Sequence, residues 1–429
     1  MDGHRRRSSP RSRRSGYHHG STRTAPPAYP RVVAAGRERR RLGGEVHAWL
    51  PGQNQTLCGL PLSTNPVRER LLPGSAGTAP VMRIVIVGAT GNVGTAVLRR
   101  LRREAGTNLV GVARRLPGPD AGEPYDDVEW HACDIGAPGA ADQLVRIFAG
   151  ARAVVHLAWQ IQPSHDRRTL HRTNVGGSRA VIEAAVRVGV PALVYASSVG
   201  TYAPGPKNQP VSENWPATGV ETSSYSRDKA EVEALLDGVQ REHPKLRVVR
   251  LRPGLIFQRE AGTEISRYFL GPLVPVRLLR YGRIPLVPSN KRLRMQAVHA
   301  DDVADAYARA VLGDASGAFN VAADPVLTPE LVARHFHGWT PLPVAVPVLR
   351  AAAAVTWRAR LQPVDTGWVD LALNVPLMSS HRAETELGWS PAVDTVTALK
   401  ELFAGMAARA GTDSPPLSPD PALPVDLPP

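Results

Sequence analysis

Two residues in the stretch "SSYSRDKAEVEALL", residues 223–236, have the types and spacing to do chemistry. Tyr225 and Lys229 stand four apart, so on a helix they share one face, one turn above the other. The same stripe continues to Val232 and Leu236, which puts both polar groups on the apolar, inward face, away from Glu231, Glu233 and Asp237. An ammonium aimed at a dry core is costly unless it finds a partner there. A phenol, with an ordinary pKa near 10, is a poor acid or base at neutral pH, and a cation one turn away favours its ionised form. The pair therefore reads as a tyrosine tuned for proton transfer. A chain with five lysines and nine tyrosines yields this spacing by accident in roughly one case in ten, so placement has to carry the reading. Ser198, ending the apolar run "ALVYASS", supplies a hydroxyl that could hold a substrate oxygen beside Tyr225.

The elements that must position these groups are legible from Met82 onward. "RIVIVG", "NLVGVA", "VEWHACD", "AVVHLA", "ALVYASS" and "LRVVRLRPG" are short β-branched runs, separated by helical stretches such as "NVGTAVLRRLRREAG" and "NVGGSRAVIEAAVRVG". Continuous apolar strands alternating with helices predict an α/β fold, a Rossmann-like doubly wound parallel sheet with its ligand at the carboxyl ends of the strands. Beyond about Pro253 the alternation loosens, and residues 256–410 are expected to form a smaller C-terminal substrate-binding lobe after a dinucleotide-binding domain at 82–255. In "VGATGNVGTA", Gly88, Gly91 and Gly94 sit between the first strand and first helix, where glycines allow a tight turn and close approach of backbone to a pyrophosphate. Thr90, Asn92 and Val93 of the same loop are counted with them as cofactor-binding residues.

A positively charged oxidised nicotinamide would join Lys229 in favouring the ionised Tyr225, and Lys229 could also hold the nicotinamide ribose. At the end of the second strand, where an acid would bind the adenosine ribose of NAD, the sequence reads "VARR". Arg114 and Arg115 offer forked cationic donors to a 2′-phosphate, so NADP is expected, with NAD the alternative. Asp134, after the third strand, either bonds the adenine amino group or caps a helix, and Ile135 is grouped with it.

Composition bounds the rest. Residues 1–81 hold 14 arginines, no lysine and four acids, so +10 of the chain's +14 lies there and the remaining 348 residues carry only +4. No nucleic-acid or membrane partner is therefore expected of the body, whose partner is a small-molecule substrate. The Arg-, Ser- and Pro-rich leader has a disordered composition and lacks the apolar run of a secretory signal. A transit peptide or nucleic-acid-binding arm is one reading of it. The preferred reading makes Met82 the native start, which leader peptides in N-terminal mass spectrometry of the native protein would refute. Cys58 and Cys133 cannot build a disulfide or a cysteine metal site within the body, which fits a reducing cytoplasm. No apolar run long enough for a membrane span occurs. Residues 411–429 read as a disordered Pro-rich tail.

From Met82 to about Gly405 the chain resembles extended-type short-chain dehydrogenases/reductases of the NAD-dependent epimerase/dehydratase family. The resemblance rests on "GATGNVG", "CDI", "HLA" at His156, "NVGGS" at Asn174, "YASSVGTY", "YSRDK", "RPG" at Arg252, "VHADDVADA", "FNVA" and "LGWSP". It implies Ser198, Tyr225 and Lys229 as the catalytic triad, Asn174 as support for the helix and a proton-relay water, and Leu157, Ala158, Pro253, Gly254 and Leu255 around the nicotinamide. It also implies a possible homodimer through the helices after the fourth and fifth strands. Trp159 and "QIQPSHDRRTLHRT" depart from relatives that act on nucleotide-sugars, as does Met295 where these carry a diphosphate-reading arginine, with Arg294 one residue out of step. The function expected is hydride transfer between nicotinamide C4 and a secondary alcohol or ketone. The alternatives are an epimerase or dehydratase that retains NAD, and a non-catalytic NADP sensor.

Overall fold

The computed structural model describes residues 81–270, 287–336 and 341–419, so all but the last residue of the expected leader lies outside the described residues. Seven strands form the main sheet: β1 (Met82–Val87), β2 (Thr107–Ala113), β3 (Glu129–Ala132), β4 (Ala153–His156), β5 (Ala192–Ala196), β6 (Arg247–Pro253) and β7 (Gly317–Val321). Their order is β7-β6-β5-β4-β1-β2-β3 and every pairing is parallel. The order reverses between β1 and β4, which opens a crevice at the carboxyl ends of those two strands. Residues along β1 alternate between two buried layers. Ile84 and Ile86 pack with α1 (Asn92–Leu101) and Tyr307. Val85 and Val87 join α2 (Ala140–Phe148), α3 (Gly177–Val188) and α4 (Ser224–Glu242). Burial on both faces is why the strands read as unbroken apolar runs.

The C-terminal stretch is shared between two structures. Tyr307 belongs to α5 (Ala300–Leu312), which packs on the main sheet, and β7 completes that sheet. Strands Leu255–Phe257, Met295–His299 and Ala323–Leu327 form a separate small sheet covered by helix Thr395–Ala408. The motifs "VHADD" and "LGWSP" meet in the packing here. Trp389 is 1 % exposed and its Nε1 donates to the Asp302 carbonyl, while the Asp302 carboxylate accepts from the Ala392 and Val393 amides.

Residues 411–419 differ from the expected disordered tail. Ser414 and Leu417 are fully buried, the Ser414 hydroxyl donates to the Thr90 carbonyl in the glycine loop, and Arg267 donates to the Pro416 carbonyl. The prolines restrict this backbone without preventing it from packing. Residues 420–429 lie outside the described residues. Among the described residues no helix is long and apolar enough to cross a membrane.

Candidate active site

Helix α4 begins where the Ser223 side chain accepts from the Ser226 amide, a cap that fixes the first turn. That turn presents Tyr225, and the next presents Lys229, which is 3 % exposed. Burial pushes the Tyr225 phenol up to about 12, and a hydrogen bond with Ser198 pulls it the other way. Ser198 is held in turn by the amide of Gly200, which donates to its Oγ at 3.0 Å. Gly200 has to be glycine: a Cβ there would lie 2.7 Å from the Tyr225 ring.

Lys229, expected to favour the ionised tyrosine, turns one N–H to the backbone. Its Nζ donates to the Ala196 carbonyl at 2.6 Å and lies 3.5 Å from the centre of the Trp159 ring. Burial drives its pKa well below the usual lysine value, against the opposing pull of Glu233 and Asp228.

Glu233, expected on the solvent face, is 2 % exposed. It receives Arg252 through Nε and Nη2, both at 2.9 Å, Arg250 at 3.0 Å and the Ser197 hydroxyl. Burial alone would raise its pKa, yet Arg252 and Arg250 hold it below the usual carboxylate range. Arg252 also donates to the Tyr202 hydroxyl, which donates to Asn320. A buried charge survives only with such partners. The network clamps the end of β5 next to Ser198. Its sequence signal was Arg250 and Arg252, two apart on one face of a strand whose other inner residues are apolar.

A cavity of about 540 Å3 starts at the glycine loop and ends beyond the triad. Gly88, Gly91, Asn92, Val93, Gly94, Leu157, Ser198, Tyr225, Lys229, Pro253, Gly254 and Leu255 all line it. The three glycines differ in their reasons. Gly88 has φ +91°, and a Cβ would lie 2.5 Å from the Ala158 amide. At Gly94 a Cβ would lie 2.3 Å from the Gly88 carbonyl. A Cβ at Gly91 would meet only the Gly88 carbonyl at 3.6 Å, an ordinary contact, so the fold leaves that space free facing the cavity. This open cradle at the N-terminus of α1 fits a pyrophosphate.

The other expected residues lie outside the cavity lining. Thr90 is buried under Ser414, and Ala158 packs behind Gly88. Arg114 is exposed and Arg115 half-buried at the end of β2. Asp134 accepts from the Gly136 amide, and Ile135 lines a surface hollow beside α2 and α3. Asn174 sits in a π-helical turn, Arg172–Gly176, and grips Gln160 twice, its Oδ1 accepting from the amide at 2.7 Å and its Nδ2 donating to the carbonyl at 3.0 Å. It thereby holds the backbone next to Trp159.

Sequence reasoning missed the far wall: Trp368, Phe269, Glu264 and Gln296 also line the cavity. Trp368, Leu371 and Val375 form a helical stripe in "TGWVDLALNV" that marks an inward face, but the sequence held no sign of what it faced. Burial lifts the Glu264 carboxyl to about 7, with Arg267 opposing.

The model of the NAD dependent epimerase/dehydratase family matches residues 84–322. The chain belongs to this family. An uncharacterized protein of Mycobacterium tuberculosis, Rv0501, is 28 % identical over 190 residues, 43 % of this chain and 46 % of that protein. Sterol-4-alpha-carboxylate 3-dehydrogenase, decarboxylating, of Saccharomyces cerevisiae is 31 % identical over 134 residues, 31 % of this chain and 37 % of that protein. The matched part of the family member thus spans less than half the length of these curated relatives. UDP-glucose 4-epimerase of Thermotoga maritima, solved with UDP-glucose, superposes with a TM-score of 0.57 at 20 % identity, covering 76 % of this chain and 99 % of that one. The Thermus thermophilus UDP-glucose 4-epimerase, solved with NAD, gives 0.54 at 19 % identity over 76 % and 99 % of the two chains. At such identities these structures show the shared fold, with its parallel seven-stranded sheet.

Proposed function

We propose that the protein is an NAD(P)-dependent oxidoreductase that interconverts a secondary alcohol and its ketone. The observation that carries this is one cavity running from the Gly91 cradle to two hydroxyl-bearing side chains, Ser198 and Tyr225, with Lys229 beside them. The bound nicotinamide supplies the carbon that gives or accepts the hydride. In the reducing direction Ser198 orients the carbonyl oxygen and Tyr225 donates its proton to it as the carbonyl carbon gains the hydride, so that C=O becomes CH–OH. Oxidation runs the same transfers backwards, with the hydroxyl proton passing to the phenolate. Lys229 keeps one N–H on the Ala196 carbonyl and offers the others to the nicotinamide ribose. Asn174 acts by holding the wall that carries Trp159.

NADP is the favoured cofactor. Arg114 and Arg115 stand at the end of β2 and no acid takes their place there. The dehydrogenases among the curated relatives, including human 3 beta-hydroxysteroid dehydrogenase type 7 at 35 % identity over 101 residues, support the redox outcome over epimerisation. Tyr225→Phe tests the assignment. Turnover of NADPH should fall by at least about a thousandfold while NADPH affinity stays within a few-fold. A variant that keeps its turnover would overturn the role of Tyr225, and a wild-type chain that binds NADPH without turning it over would point to a cofactor-sensing protein instead.

A further inference from the structure

Resting on the redox reading of this site, we propose that its substrate is an uncharged, ring-bearing apolar alcohol, or the matching ketone, rather than a nucleotide-diphosphate sugar. Beyond the two reacting hydroxyls the cavity follows an unbroken aromatic wall. Trp159 meets Tyr225 edge-on at 6.1 Å, Tyr225 meets Trp368 at 5.0 Å, and Trp368 meets Phe269 edge-on at 5.2 Å. Six of the chain's 23 aromatic residues line this one cavity. Such rings offer flat apolar area to a flat apolar ligand.

Aromatic faces also stack on sugars, but a sugar needs hydrogen-bond partners as well, and the amide side chains and the Ser197 hydroxyl of this lining are committed. Asn92 donates to the Ile256 carbonyl and receives Gln258. Gln296 donates to the Met378 carbonyl at 2.9 Å and accepts from the Met378 amide at 2.6 Å. Ser197 is bound to Glu233. Charge points the same way. Among the described residues Lys229 and Glu264 are the charged side chains of the lining, and Lys229 is held by Ala196. A diphosphate calls for forked or clustered cations, whereas the lining carries Met295, and Arg294 is not part of it. A carboxyl such as Glu264 repels phosphate and is indifferent to a neutral ring.

Binding and turnover are to be measured separately on the full chain saturated with NADP. Quenching of tryptophan fluorescence reads binding, since Trp159 and Trp368 both line the site. Decahydro-2-naphthol and a tetracyclic 3-hydroxy alcohol serve as ring probes, and UDP-glucose as the contrast. Saturable quenching by the ring alcohols, with none by UDP-glucose at equal concentration, is the expected result. Trp368→Ala should then raise KM for the ring alcohols about tenfold with kcat little changed. UDP-glucose binding as well as or better than the ring alcohols would overturn the proposal, as would NADP-loaded protein that binds no ring alcohol. Ring-alcohol binding without nicotinamide reduction would uphold the substrate class and count against the redox reading alone.

Discussion

At the scale of single residues, Gly91 separates folding from binding most cleanly. A methyl group at Gly88 or Gly94 collides with backbone, but at Gly91 it would occupy only the space of the cradle. Gly91→Ala should therefore leave the melting temperature nearly unchanged and weaken NADPH at least about tenfold in a fluorescence titration. Tyr225 gives the second expectation. Burial holds its phenol at about 12, so the proton stays on through neutral pH and the group is set as an acid. Ketone reduction should thus run flat through neutral pH and fall only on the alkaline side, whereas alcohol oxidation, which needs the phenolate, should climb by up to about tenfold per pH unit. A stopped-flow pH profile in both directions checks this. Tyr225, Lys229 and the glycines were legible because their spacing is local to one helix and one turn. Glu233 was misjudged because its partners, Arg250 and Arg252, come from a strand rather than from its own helix.

At the scale of elements, the parallel sheet could be read directly because its central strands are buried on both faces and most of its strands are followed in sequence by a helix. Past Pro253 that regularity ends. One stretch alternately serves the small sheet, the main sheet and the cavity wall, and these pairings are made at long range. The segment after Trp159 shows the same limit. His165 stacks on Trp357 at 4.1 Å, and Arg167 bonds Ser224 and Asp365, so this segment is tied to the start of α4 and to C-terminal helices nearly two hundred residues away in a way no local pattern announces. The Glu233 network links α4 to β6 beneath the turn that carries Tyr225. Glu233→Ala takes the carboxylate from the buried Arg252, while Arg250 keeps Asp237 and Gln240, and should cost about 3–5 kcal/mol of stability in a denaturant titration. A loss near zero would show that the network is dispensable.

For the whole molecule, a sheet, a glycine loop and a helix meet at one cavity, where the proposed reaction moves hydride while Tyr225 exchanges the proton. NADPH carrying deuterium at the transferable C4 position tests that directly. It is to be incubated with the full chain and decahydro-2-naphthalenone, and the alcohol product examined by mass spectrometry. The account predicts one deuterium on the carbinol carbon with the wild-type chain, and product lost at least about a thousandfold in Tyr225→Phe. Product without deuterium, or Tyr225→Phe transferring deuterium as fast as wild type, would contradict it.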